Sequence, residues 1–446
     1  MPIYPLLLLL FNSIKFPSQR ENPGSGHVKR IAAGITMKKT GQLEIILRIK
    51  LVVLFGGLFT ACQVVDAQRG SADFVNFEKF ALEESMRGGG VEVADMDGDG
   101  LTDIIAMFTN PDQFAWFKNP SWEKFVISTV ASGGIDSAPM DIDADGDMDI
   151  VLASDFALGR STEGGLLNWL ENPGNPTQIQ EWEMHYIDEV PTSHRVKWGD
   201  INGDGELELV NLPIIGFGAE APLYDVGLQL KAYAIPDNLN VDSWPGVILD
   251  QSLELSHGLE LFDWDGNGKD DILSASFGGV HLFQLATQGQ AVAKTAIAAG
   301  KQGADRPDIG SSEIDVGALN GTRFVATVEP WHGNEVVVYT AGVNSQALWN
   351  RQVIETELVD GHGLLTADLN NDGMDEIIAG GRSEPYQLYI YRFVSDSGEW
   401  NRIDLDVGGM ALSGLAIEDL NGDGYTDIIG IGSATQNVVY YENSGR

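Results

Sequence analysis

The chain has 446 residues, 43% of them hydrophobic and 21% charged, which suits one large globular domain or two ordinary ones and excludes a disordered polyelectrolyte. Sixty-five acidic residues against 27 basic ones give a formal charge of −38, so a nucleic-acid backbone would be repelled and divalent cations attracted.

In chain order, residues 1–36 read as an upstream extension with one weak apolar patch, LLLLLF. From Met37 the run MKKTGQLEIILRIKLVVLFGGLFTAC has a basic start (Lys38, Lys39), an apolar stretch and small residues ahead of the single cysteine, Cys62, which is the layout of a secretory signal. LFTAC resembles the bacterial lipobox. The expected organisation is therefore a signal over 37–61, a lipid anchor at Cys62, a tether over 62–71 and an exported cell-envelope protein. Cleavage nearby, for example after Ala67, would discard Cys62 and give a secreted protein instead. Either way no disulfide is available, and metal loops would have to staple the fold.

Acid-rich loops then recur: DMDGDGLTD from Asp95, DIDADGDMD from Asp141, DINGDGELE from Asp200, DWDGNGKDD from Asp263, DLNNDGMDE from Asp368 and DLNGDGYTD from Asp419. A degenerate copy, GALNGTRF from Gly317, fills the long gap before Asp368 and lacks the acids. Starts 46 to 63 residues apart define a repeat. Each unit reads as four short strands, the last often headed by tryptophan as in SWEKFVIST, and this predicts an all-β, seven-bladed β-propeller over residues 72–446. After the final loop only two strands remain. The missing fourth is matched by NFEKFALEE, residues 76–84, so an N-terminal strand is expected to complete the last blade and remove a free edge.

Within each loop, oxygens at positions 1, 3, 5 and 9 can wrap one hard cation around a glycine turn. The expected calcium ligands are Asp95, Asp97, Asp99 and Asp103; Asp141, Asp143, Asp145 and Asp149; Asp200, Asn202, Asp204 and Glu208; Asp263, Asp265, Asn267 and Asp271; Asp368, Asn370, Asp372 and Glu376; and Asp419, Asn421, Asp423 and Asp427. The bland alternative is a set of Asp/Asn turns that form without metal. The repeat resembles the FG-GAP or VCBS blades of integrin α-subunits and many secreted bacterial proteins, which implies structural calcium but no particular activity.

A residue six positions ahead of a loop should sit at the channel mouth, on the face opposite the acids. His194, His257 and His362 hold that position before Asp200, Asp263 and Asp368. His332, in EPWHGNE of the degenerate unit, should project on the same face, whereas His185 and His281 fall in outer strands. Neutral imidazoles converging on one point suit zinc or another divalent metal, or general acid–base work. Arg87, Arg160, Arg195, Arg306, Arg382, Tyr224 and Trp331 are expected on that face too, where arginines would neutralise an anionic species.

The segments TSHRVKWGDINGDGELELV, SHGLELFDWDGNGKDDIL, EPWHGNEVVVY and DGHGLLTADLNNDGMDEII resemble the propeller of the aldos-2-ulose dehydratase family. That resemblance implies a metal-dependent lyase that eliminates water from a keto-sugar, with His194, His257, His332 and His362 as ligands or acid–base groups; Arg195, Arg306, Arg382 and Tyr224, from their expected place on the same face, are the candidate catalytic companions. Propeller-fold polysaccharide lyases use similar residues on uronic-acid sugars. The competing expectation is a non-catalytic envelope propeller that binds glycan or protein through the same face.

Overall fold

The computed structural model describes residues 63–68, 74–286, 292–344 and 347–445; the expected extension, signal segment and Cys62 lie outside the described residues. Seven antiparallel sheets follow one another along the chain, over 87–128, 136–189, 193–250, 256–298, 314–355, 361–407 and 412–443, numbered here as blades one to seven. In each blade the strands run outward in order. The first strands, from Arg87–Ala94 to Leu412–Glu418, touch their neighbours all round the axis, and the last touches the first. They enclose a channel of about 520 Å³.

The sequence of each strand matches its layer. Second strands such as DIVLAS, DILSAS and DIIGIG are continuously apolar because neighbouring blades cover both their faces, and they are buried throughout. Third strands supply the large fillers between blades: Trp116, Trp169, Tyr233, Tyr339, Tyr391 and Tyr441 are fully buried. Fourth strands lie outermost and alternate with solvent, as in EMHYIDE.

Closure is as expected. Phe77–Glu83 pairs antiparallel with Asn437–Asn443 as the fourth strand of blade seven. Phe80 stacks on Tyr440 at 4.9 Å between ring centroids, and Lys79 Nζ donates to Asp406 Oδ2 at 2.6 Å. The segment read as a tether does more than link: Gln63–Gln68 pairs with Phe77–Glu83 as a fifth strand. The reason is the unpaired edge that the closing strand would otherwise expose.

On the loop face, blades are tied by a repeated asparagine. Asn119, Asn172 and Asn443 each donate their backbone N–H to the position-9 carboxylate of their own blade, Asp103, Asp149 and Asp427, at 2.7 Å. Their side-chain amides reach the preceding blade, donating to the carbonyls of Leu420, Met96 and Leu369 respectively. A buried amide with both ends paired is costly to remove. Asn443→Ala is expected to lower the unfolding free energy by about 1–3 kcal/mol in urea denaturation; an unchanged midpoint would mean the clasp is not holding blades six and seven together.

Candidate functional site

Four histidines from four consecutive blades meet at the mouth of the channel. Three of them owe their aim to one local irregularity of the inner strand. In blade three Ser193 pairs with Pro213 and Arg195 with Leu212, leaving His194 as the extra residue of a β-bulge. In blade four Ser256 pairs with Ser276 and Gly258 with Ala275, and His257 is left over. Blade six repeats this around His362. A bulge turns its residue out of the ladder, and here it turns each imidazole from the blade interface towards the axis. His332 arrives differently, from the link between Thr322–Glu329 and Glu335–Thr340, with a left-handed φ of 50°.

The rings pack closely. His257 lies 4.5 Å from His194, 4.9 Å from His332 and 5.1 Å from His362, centroid to centroid. One ring nitrogen each from His257, His332 and His362 falls within 4.8 Å of the others, and the Nε2 atoms of His257 and His332 are 3.2 Å apart. Two nitrogens at about 2.0–2.1 Å from a tetrahedral ion are roughly 3.3 Å apart, so this pair already has the right separation. His194 falls outside the trio and packs edge-on against Phe156 at 5.4 Å.

Two carboxylates, Glu313 and Asp360, brace the cluster, and sequence reasoning missed both. Glu313 Oε1 accepts from Arg195 Nη2 at 3.0 Å and lies 2.9 Å from His257 Nδ1, off the line of a ring hydrogen bond. Asp360 accepts from Arg382 and from the Ser383 hydroxyl, with Oδ1 3.4 Å from His332 Nδ1. Arg382 Nη2 sits 2.9 Å from that same Nδ1. A guanidinium cannot accept, so Nδ1 is the acceptor and the His332 proton is assigned to Nε2. The other tautomer, donating from Nδ1 to Asp360, is the one that frees Nε2 for an ion. No motif marks either in the sequence: Glu313 stands four residues ahead of Gly317, where the degenerate loop starts.

Burial dominates the electrostatics. It drives the pKa values of His194, His257 and His362 well below the ordinary value, with nearby Arg195 or neighbouring imidazoles acting in the same direction. His332 is lowered to about 4, by burial first and by Arg382 second. Four neutral imidazoles are the protonation state that a transition metal requires. The buried Nδ1 atoms of His194 and His362 have no hydrogen-bond partner, so the donor set fits a nitrogen-seeking divalent ion.

The other expected residues divide. Arg195 and Arg382 join the cluster. Tyr224 stands one layer back, edge-on to Trp331 at 5.8 Å, and Trp331 in turn packs on His332 at 4.7 Å. Arg306 is bound instead to Glu254 and the Leu223 carbonyl and lies over Phe277. Arg160 is paired with Asp155, and Arg87 opens the inner strand of blade one. His185 stacks on Trp169 and His281 is half-buried in the third strand of blade four, both away from the cluster. Two spaces adjoin the histidines: His362, Arg195 and Glu313 line the axial channel, while His332, Trp331, Asp360, Lys301 and Asn334 line a surface pocket of about 620 Å³.

The acidic loops lie at the far end of the inner strands. Their position-1 aspartates accept backbone N–H groups from the glycine turn, as when Asp200 receives Gly203, Asp204 and Gly205. The position-9 carboxylates turn inward and accept the backbone N–H of position 2, for instance Met96 to Asp103 and Leu369 to Glu376. Asp95, Asp97 and Asp99, and likewise Asp141, Asp143 and Asp149, bring oxygens within 4.8 Å of one another. The degenerate loop of blade five is gripped by its neighbour, Ala318 N donating to Asp375 Oδ2 at 2.6 Å.

A histidine held neutral in the fold but protonated when unfolded makes stability fall as pH drops from about 6.5 towards 4. The buried carboxylates, such as Asp149 raised to about 6, act in the opposite sense, so the contrast must be with a variant. Between pH 6.5 and 4 the stability of the metal-free protein is expected to fall relative to His332→Gln by on the order of 1 kcal/mol per pH unit, read from urea midpoints.

Residues 164–342 match the family described as aldos-2-ulose dehydratase, beta-propeller domain, and residues 95–152 and 368–430 match the FG-GAP-like repeat. The aldos-2-ulose dehydratase of Phanerodontia chrysosporium is 24% identical over 314 residues, which cover 65% of this chain but only 33% of that enzyme. Among solved structures, an ancestral GH74 enzyme superposes with a TM-score of 0.53 at 11% identity, over 84% of this chain and 51% of its own, a likeness of fold alone. An Agrocybe aegerita lectin that recognises non-reducing terminal N-acetylglucosamine is 14% identical over 81% of this chain and 86% of its own, at a TM-score of 0.45. The chain is thus a seven-bladed, FG-GAP-repeat β-propeller similar to the propeller domain of aldos-2-ulose dehydratase.

Proposed function

We propose that the protein is a divalent-metal-dependent carbohydrate lyase that eliminates water, or a sugar oxygen, from the carbon next to an acidified C–H, with calcium as a structural ion in its acidic loops. The observation that carries this reading is the convergence of His257, His332 and His362, with ring nitrogens within 4.8 Å of one another and a supporting carboxylate beside two of them. Similarity to aldos-2-ulose dehydratase over part of the chain supports the substrate class. When bound, a zinc-like ion would act as a Lewis acid on a substrate carbonyl or carboxylate oxygen.

The chain's own residues would do the rest. His257, His332 and His362 would hold the ion, with His332 turning to the tautomer that donates from Nδ1 to Asp360 and frees Nε2, and Arg195 and Arg382 would offset negative charge that develops on the substrate. His194, neutral and outside the trio, is the base left to accept the proton from the carbon beside the carbonyl. The electron pair of that C–H bond forms the new double bond, and the neighbouring hydroxyl leaves as water with the proton that His194 hands on, which returns His194 to its neutral form. An unsaturated sugar and one water account for every atom. Localisation at the cell envelope through Cys62, or secretion, belongs to the same proposal and places such a lyase where external glycans are found.

The test is metal analysis together with turnover of keto-sugars and uronate-containing glycans, followed by ultraviolet absorbance. Wild type should hold a transition metal and form an absorbing product; His257→Ala should lose both, and His194→Ala should keep the metal and lose turnover. Asp360→Asn should weaken zinc binding, measured against a chromophoric chelator, by about 10–100-fold. Glycan binding with no metal and no turnover in wild type would sink the lyase and leave a non-catalytic binding propeller.

A further inference from the structure

The six acidic loops differ at the position that faces their position-9 carboxylate across the blade. The ladder fixes this place: Ile104 pairs with Phe117, Ile150 with Leu170, Ile272 with Phe283, Ile377 with Tyr391 and Ile428 with Tyr441, so the residue one step along is Lys118, Glu171, Gln284, Arg392 and Glu442 in turn. In blade three Glu208 faces Ala234. A residue here reaches the middle of the loop.

In blade one that residue is a cation seated among the ligands. Lys118 Nζ donates to Asp97 and, at 2.5 Å, to Asp99, the carboxylates of positions 3 and 5. Its side chain is only 25% exposed. An ammonium offers three donors and no acceptor, so it satisfies those oxygens where a calcium ion would have to bind, and an entering ion would meet like charge. Blade two carries the opposite charge at this place: Glu171 faces Asp149 there, with its Oε2 2.8 Å from His185 Nε2, and no cation of the described residues is seated among Asp141, Asp143 and Asp149, whose oxygens lie within 4.8 Å of one another. Arg392 of blade six is a looser counterpart of Lys118, 3.6 Å from Asp372 and 3.9 Å from Glu376.

We propose that Lys118 is the built-in counter-ion of the blade-one loop, which is closed by an ammonium and takes no calcium, whereas the blade-two loop with Glu171 in the same place depends on the ion. This rests on the calcium reading for the remaining loops. Its consequence is that the number of bound ions is set by the third strand of each blade and cannot be counted from the acidic loop motif.

Calcium stoichiometry of the full chain, by titration calorimetry and equilibrium dialysis, tests it. Lys118→Met, with Lys118→Gln as a second variant, should bind one more ion than wild type, and Glu171→Lys one fewer, all with unchanged circular dichroism. Hydrogen exchange of wild type needs no variant: a calcium chelator should leave the amides of 95–103 unaffected and speed exchange over 141–149. An unchanged ion count in both lysine variants of a calcium-binding wild type, or chelator-sensitive exchange at 95–103, would overturn the counter-ion role alone. If neither wild type nor Lys118→Met bound any calcium, the calcium reading itself would fall and this inference with it.

Discussion

The inner strand of each blade is the constraint on which both ends of this propeller depend. In blades three, four and six it covers six residues from the bulge to the acidic loop, roughly 20 Å at the usual rise of an extended chain. Its outer end is fixed by the position-9 carboxylate, which accepts the backbone N–H of position 2, as Asp103 does from Met96. Its other end is released by the bulge, which takes His194, His257 or His362 out of the ladder. One end is therefore rigid by hydrogen bonding, and the other can present a side chain to the axis without disturbing the sheet behind it.

That division explains how the chain tolerates four buried imidazoles close together. Packing them would be costly if any took up a second ring proton and its charge, and burial keeps them neutral. Positive charge is supplied instead by Arg195 and Arg382, each balanced by its own carboxylate, Glu313 and Asp360. Both carboxylates also approach a histidine. The arrangement is that of a nitrogen donor set with supporting acids, and the adjoining channel and pocket give it access from two sides.

The repeats are equivalent in backbone and unequal in chemistry. Blade five has lost its acids and is held by Asp375 of blade six, so its loop is secured from outside. Blades one, two and seven share the asparagine clasp but place Lys118, Glu171 and Glu442 before it. Divergence of this kind costs the fold little, because the strands and the inter-blade core are untouched. It alters what each loop can bind.

Much was legible in the sequence. The period of the loops, the continuous apolar second strands and the orphan N-terminal strand sufficed for a closed seven-bladed propeller, since these are local patterns with a fixed geometric meaning. The six-residue offset likewise marked His194, His257 and His362, because strand length is a property of the chain. What only the tertiary structure decided is which groups meet. Glu313 and Asp360 carry no motif and reach the histidines across blade boundaries, while Arg306, on the same face, is taken up by Glu254. Lys118 likewise lies 19 residues from Asp99 in the chain, and only the pairing of two strands brings its ammonium into the loop. Backbone periodicity is written residue by residue, but contacts between side chains of different strands depend on register and rotamer, which exist only after the blades have packed.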